Sequence, residues 1–230
     1  MLGRFLELAM VVEDAGTAWQ RYQQLGFAPA PAGDVWNHAY GVVTCRDFAL
    51  GLHARGEEPM SLVFVRPDVA ALHRDLGDMG LQVEQARLGS DVFNELALRE
   101  PGGVLLRVLE ARSFSPPPEL PENTQLGRFC GISLPCRDLA KAAGFWQQLG
   151  LQTHSRNDPW EGFTVQGLPV ACHARRNFPE PALLFQLPAD QHGGIIGATD
   201  LRRETALTSL GERQHSLLRS AEDLALIVLG

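Results

Sequence analysis

Residues Leu2–Phe27 read LGRFLELAMVVEDAGTAWQRYQQLGF, and residues Leu126–Leu151 read LGRFCGISLPCRDLAKAAGFWQQLGL. At an offset of 124, ten of these 26 aligned positions are identical: the Leu-Gly-Arg-Phe opening, Asp14 with Asp138, Ala18 with Ala142, and the Gln-Gln-Leu-Gly close. Background residue frequencies would give roughly two matches, so the chain carries an internal repeat, the signal that decides a fold before any other.

Each copy predicts a strand followed by a helix. In Phe5–Val11, Leu6, Leu8 and Met10 fall on one face and Glu7, Ala9 and Val11 on the other, the period of two of a half-covered strand. Asp14 stands where an N-cap accepts from orphan backbone N–H groups. Ala15, Ala18, Trp19, Tyr22 and Leu25 then recur at helical spacing, and Gly26 supplies a left-handed stop. In the second copy Asp138, Leu139, Ala142, Ala143, Trp146, Leu149 and Gly150 repeat the scheme.

The repeat continues outward. HAYGVVT, a turn at CRD and FALGLHAR in the first half answer to EGFTVQGLPVACHAR in the second, with His53-Ala54-Arg55 matching His173-Ala174-Arg175 at an offset of 120. A finer period aligns Val11, Asp14 and Gly26 with Val65, Asp68 and Gly80 at an offset of 54. Ser61–Val65 is therefore expected as a strand and 69–79 as a helix built on Val69, Leu72, Leu76 and Met79. ELALREPGGVLLRVLE reads as two strands joined by a Pro-Gly-Gly turn. A Pro-rich stretch between Arg112 and Gln125 reads as a linker, giving expected units of 1–113 and 124–230 joined by 114–123. In the fourth unit ALLFQLPAD and LLRSAEDLALIVLG keep the strands, with Asp190 at the cap position. HGGIIGATD replaces the helix, since Gly193 and Gly194 oppose a regular one.

At 230 residues, with 45% hydrophobic and 20% charged content, the chain has the composition of a soluble globular protein of two ordinary domains. A net charge of −7 gives no electrostatic footprint for nucleic acid or an anionic membrane. No apolar run approaches the ~18–20 residues of a membrane span, and Glu7 interrupts the N-terminal apolar stretch where a signal peptide would need it, so a cytoplasmic location is expected. Cys45, Cys130, Cys136 and Cys172 lack zinc-type or redox-type spacing and read as buried thiols. The alternative is a Cys130–Cys136 disulfide.

A βαβββ unit repeated in pairs resembles the vicinal oxygen chelate superfamily, which includes glyoxalases, bleomycin-resistance proteins, extradiol dioxygenases and fosfomycin-resistance enzymes. The strand–Asp–helix–Leu-Gly signature and the Pro-Gly-Gly hairpin carry the resemblance over nearly the whole chain. It implies an α+β fold of four βαβββ units paired into two open cups, with helices on the outer faces. In that superfamily a divalent metal is held by a His seven residues before the capping Asp, by side chains of two neighbouring strands, and by a Glu of the closing strand. The corresponding positions are Glu7, Gly51, Ser61 and Arg107 in the first half, and Gly131, Ala171, Leu183 and Ile227 in the second. A metal needs three or more N or O donors. The second set offers none, and the first offers one carboxylate and one hydroxyl beside a fixed positive charge. The expectation is no metal and no cofactor, with a displaced site at His38 or His53 as the alternative.

Alternation from those positions puts Ala9, Val11, Val63, Val65, Leu105 and Leu109 on the concave face of the first half, with His53 two residues past Gly51. With a two-residue turn at Arg46-Asp47, Tyr40 lies opposite His53 across the hairpin. The same construction pairs Trp160 with His173. The expected ligand-binding set is Glu7, Tyr40, His53, Ser61 and Arg107 around an apolar cavity, the usual make-up of a small-molecule pocket. Glu7 and Arg107 are expected to pair, and His53 and Ser61 also read as a hydrogen-bonded wall residue and a polar filler. Trp36 and Trp160 read as packing or rim residues, with stacking platforms as the alternative, and His192 as a candidate lining of a pocket between the halves. Three functions follow: a metal-free small-molecule-binding protein of the bleomycin-resistance kind; an enzyme of the superfamily using Glu7 or His53 as base, or an unrecognised metal site; or an interaction module with filled cups. A small-molecule partner is expected and no nucleic acid or membrane; a homodimer is left open.

Overall fold

The computed structural model describes residues 1–31, 37–46, 48–111, 121–155, 161–165, 168–176, 178–188, 201–204 and 215–230. For 152–155, 161–165 and 168–169 the backbone alone is described. Asp47, Trp36, Trp160, His192, Asp190, Gly193, Gly194 and 112–120 of the Pro-rich stretch lie outside these residues.

The first repeat forms β1 (Arg4–Val11) and α1 (Ala15–Gln24), followed by β2 (Ala28–Ala30), β3 (Tyr40–Cys45) and β4 (Phe48–His53). The second unit forms β5 (Met60–Arg66), α2 (Val69–Asp78), β6 (Gln85–Arg87), β7 (Glu95–Arg99) and β8 (Leu105–Glu110). These strands make one eight-stranded sheet in the order β2-β3-β4-β1-β5-β8-β7-β6. β1 runs parallel to β4 and antiparallel to β5, and β5 runs parallel to β8, so the two units meet at β1 and β5.

The other half starts with the short β9 (Asn123–Thr124), then repeats the pattern with β10 (Gly127–Cys136), α3 (Leu139–Gln148), β11 (Gln152–Ser155), β12 (Glu161–Val165) and β13 (Leu168–Ala174). β14 (Ala182–Gln186), β15 (Arg202–Arg203), β16 (His215–Arg219) and β17 (Ala225–Leu229) complete a nine-stranded sheet. The equivalent strands pair alike, β10 with β13 and β14, and β14 with β17. The fold is thus α+β, with two curled mixed sheets.

The helices begin where the aspartates predict. Asp14, Asp68 and Asp138 each accept from the backbone N–H three residues on, at Thr17, Ala71 and Lys141. α1 ends ahead of Gly26, whose φ of 92° is the left-handed conformation that glycine adopts without Cβ strain.

One apolar core runs through both halves. Leu8, Met10, Leu50, Leu62, Phe64 and Val108 of the first sheet join Ile132, Leu134, Cys172, Phe185, Leu226 and Val228 of the second, together with Ala18, Tyr22, Leu72 and Trp146 from the helices. On the opposite face of the first sheet Val63, Val65 and Leu109 form a separate small cluster with Ala9 and Leu6. Leu6 is a correction to strict alternation, which places it beside Leu8. The register of β1 against β5 slips between Phe5 and Glu7, a β-bulge that turns Leu6 to the concave side and leaves Phe5 in the main core. The same slip recurs between Phe129 and Gly131. All four cysteines are thiols, so Cys130 and Cys136 are not joined. No helix among the described residues is long and apolar enough to cross a membrane.

Candidate functional site

On the concave side of the first sheet a cavity of about 460 Å³ opens among β1, β4, β5, β7 and β8. Ala9, Val11, Ala97 and Leu105 give it an apolar floor, while His38, His53, Ser61 and Arg107 supply polar groups. Of the five residues that the sequence assigns to this site, His53, Ser61 and Arg107 are in the wall; Glu7 and Tyr40 stand behind it, in contact with His53.

The turn between β3 and β4 uses two residues, since Cys45 pairs with Phe48, and Arg46 takes a φ of 48°. That length fixes the register and sets Tyr40 opposite His53. The two rings stack with centroids 5.5 Å apart and planes 8° from parallel. From the other side Glu7 reaches His53, with Oε1 2.9 Å from Nε2 and both residues buried. Gly51 makes this contact possible, because a Cβ there would collide with the Glu7 carboxylate. His53 Nδ1 in turn lies 3.1 Å from His38 Nε2.

Elementary hydrogen-bond chemistry orders this line. A carboxylate only accepts, so His53 donates from Nε2 to Glu7. In that tautomer His53 accepts at Nδ1, and His38 donates to it from Nε2. Burial, with smaller effects from His53 and Arg55, holds the His38 imidazole below its ordinary range.

Arg107 faces the cavity, as the alternation of β8 predicts, but its partner is not Glu7. Its guanidinium Nη2 lies 3.2 Å from Glu95 Oε2, with both side chains about one-quarter exposed. The physical reason is the hairpin register: Arg107 pairs with Ala97 across β7 and β8, so Glu95, two residues along, shares its face. The expected Glu7–Arg107 pair is therefore replaced by two others, Glu7–His53 and Arg107–Glu95. Counting back from the Pro-Gly-Gly turn would have found Glu95. Nothing in the sequence singles out His38 as the neighbour of His53.

The second half offers an internal comparison. His173, the repeat partner of His53, is buried with Nδ1 2.6 Å from Ser133 Oγ and Nε2 2.9 Å from the Phe178 carbonyl oxygen. A carbonyl only accepts, so Nε2 donates to it and Ser133 donates to Nδ1. Burial pushes the pKa of this ring down, against the smaller upward effect of the Phe178 carbonyl. Ser133 stands at the position of Ala9, and Gly131 at that of Glu7. On the equivalent face of this sheet Phe178, Ala182, Leu184, Leu217, Ile227 and Leu229 form an apolar cluster.

The metal that the family resemblance implies does not fit these residues. At its four positions in the first half, the Glu7 carboxylate is engaged by His53 over the Gly51 backbone, Ser61 is a neutral hydroxyl, and Arg107 is a cation. Among the described residues no group of three or more His, Cys, Asp or Glu is arranged to hold a metal ion.

At the level of sequence, no protein-family model and no curated protein matches the chain. Solved structures do match in fold. A catechol 2,3-dioxygenase superposes with a TM-score of 0.60 at 15% identity, over 98% of this chain and 87% of that chain. The 2,3-dioxygenase LapB from Pseudomonas sp. KL28 gives 0.59 at 13% identity, over 98% and 91% of the two chains. The Mn(II)-bound glyoxalase from Novosphingobium aromaticivorans gives 0.58 at 12% identity, over 98% and 81%. Two curled mixed sheets of like strand order, superposing over 98% of this chain on these dioxygenases and this glyoxalase, identify the chain as having the vicinal oxygen chelate fold.

Proposed function

We propose that this chain binds a small anionic or aromatic molecule in the cup of its first half, with His53, Ser61 and Arg107 in contact with the ligand and Glu7 and Tyr40 bracing His53. The observation that carries this reading is the asymmetry between the two cups. The first encloses a cavity with convergent polar groups on an apolar floor, the usual character of a small-molecule site. At the equivalent face of the second half the described residues form an apolar cluster of Phe178, Ala182, Leu184, Leu217, Ile227 and Leu229. In this reading residues 1–113 are the binding unit and 124–230 a supporting unit that shares its core, with 114–123 as the joint.

The test is a thermal-shift panel of aromatic and anionic metabolites, followed by calorimetric titration of the hits against the chain and its Arg107→Ala variant. Binding that weakens at least tenfold in the variant supports the reading. Binding unaffected by Arg107→Ala would mean that Arg107 does not contact the ligand and would overturn the proposed contact set, and a panel with no hit would argue for the filled-cup interaction module. Elemental analysis of untagged protein accompanies it, and close to one equivalent of Fe, Mn, Ni or Zn per chain would sink the metal-free part.

A second reading, an enzyme without metal chemistry, is favoured by the Glu7–His53–His38 line. A carboxylate that orients an imidazole is the arrangement general acid–base catalysis uses.

A further inference from the structure

We propose that Glu7, His53 and His38 form a metal-independent proton relay opening into the first cup. Through it His38 exchanges a proton with a bound carboxylate-bearing ligand that has an acidic C–H or O–H.

Three observations lead here. The first is the unbroken line of contacts, 2.9 Å from Glu7 to His53 and 3.1 Å from His53 to His38, ending on a residue of the cavity wall. The second is the internal comparison. His173 has the same place in the repeat but ends in a backbone carbonyl and a serine hydroxyl, neither of which takes up a proton near neutral pH. Among the described residues, the first half alone supplies a carboxylate behind the ring and a second imidazole in front of it. The third is Gly51. Its missing Cβ leaves the space the Glu7 carboxylate occupies, so the backbone accommodates a buried acid at a position where the second half has Gly131.

The step balances as follows. The ligand C–H or O–H bond breaks, its electron pair stays on the ligand carbon or oxygen, and the proton goes to His38 Nδ1, the ring nitrogen that does not face His53. The His38 Nε2 proton passes to His53 Nδ1, which leaves a cationic His53 ring against the Glu7 carboxylate. The Arg107 guanidinium in the same wall faces the ligand's new negative charge. Return of the proton to a different ligand atom gives a tautomer, with no oxidant or reductant consumed.

The relay rests on the reading that the first cup binds a small molecule, but its first test needs no ligand. Long-range proton–nitrogen spectra of the full chain with labelled histidines report the tautomer of each ring. His53 should be protonated at Nε2, and the Glu7→Gln variant should lower the His38 titration midpoint by at least half a pH unit. The other charged and titratable groups around these rings, unchanged in the variant, are Tyr40, Arg55, Glu57, Glu58, Glu95 and Arg107. A His53 protonated at Nδ1 when neutral, or an unmoved His38 midpoint, overturns the relay whatever the cup binds. If Glu7→Gln does not fold, Glu7→Asp serves, since the shorter side chain breaks the 2.9 Å contact.

The second test supplies phenylpyruvate in D2O with EDTA present. Expected is protein-dependent deuteration at its methylene carbon, at least tenfold slower in His38→Ala, while the variant still shows spectral perturbation by phenylpyruvate. Binding without catalysed exchange overturns the relay and leaves the binding reading standing. Absence of binding overturns the binding reading for this ligand class, and the proposed substrate with it.

Discussion

His53 Nε2 lies 2.9 Å from Glu7 Oε1, with each side chain only 5% exposed, and the carboxylate fills the space above Gly51. A buried acid is tolerated where its lone pairs are met, and the relationship ties three residues on two parallel strands into one packing unit. Gly51→Ala should therefore destabilise the chain by about 1–3 kcal/mol, because the new methyl displaces the carboxylate. In a Glu7→Ala background the same substitution should cost under about 0.5 kcal/mol. Urea denaturation of the four-member cycle measures this. Equal costs in both backgrounds would show that Glu7 does not set the space at Gly51.

Arg107 and Glu95 make a different kind of pair. With both side chains about one-quarter exposed, solvent screens the attraction, and such pairs contribute ~0–1 kcal/mol. Arg107→Ala should lower stability by no more than about 1 kcal/mol, where loss of a buried partner for Glu7 would have cost ~3–5 kcal/mol. The outcome is read from denaturant midpoints. A large loss would mean that Arg107 supports the fold instead of the cavity.

His173 sets a pH dependence. Its folded-state pKa is lowered by burial, so the unfolded chain binds a proton that the folded chain resists. Stability from this group is present above the unfolded value, ~6.5, and is lost as pH falls below it. His38 is lowered too and adds in the same direction. The slope approaches about 1.4 kcal/mol per pH unit for each such group. Denaturation curves between pH 7 and pH 5 should show His173→Asn with a shallower loss of stability than the parent chain. An unchanged slope would mean His173 accepts its proton in the folded state.

Much of this geometry is legible in the sequence, for identifiable reasons. The double repeat predicts four units, and alternation along β5 and β8 suffices to place Val63, Val65, Leu109 and Arg107 on the concave face. Tyr40 opposite His53 follows from a turn of two residues. What alternation cannot show is a bulge. Leu6 is on the concave side because one residue near Phe5 is not matched across the ladder, and no residue type announces that slip. Partners across a cavity are harder still. The superfamily positions bring Glu7 and Arg107 toward one point, but side chains take the nearest complementary group, and His53 and Glu95 are nearer. Gly51 reads as a lost ligand, whereas in the structure it is the space the acid needs.

The two halves should unfold as one unit. Phe48 stacks on Phe129 with centroids 4.4 Å apart, Phe27 meets Phe185 edge-on at 6.2 Å, and the Tyr22 hydroxyl donates to Ser220 Oγ at 3.2 Å. At the surface Arg21 pairs with Glu222 at 2.9 Å, and the Gln125 N–H donates to the Leu25 carbonyl. These contacts belong to a core that neither half closes alone, since Phe48 and Phe129 are both buried in it. Removing one ring should therefore weaken both halves together. Phe48→Ala is expected to cost about 3–5 kcal/mol, the usual range for a buried phenylalanine, while calorimetry still shows a single transition, now at lower temperature. Residues 1–113 expressed alone should expose Phe27 and Phe48 as a contiguous apolar patch and self-associate. Two resolved transitions, with Phe48→Ala moving only one of them, would mean that each half is stable independently and that the stacked phenylalanines are incidental to it.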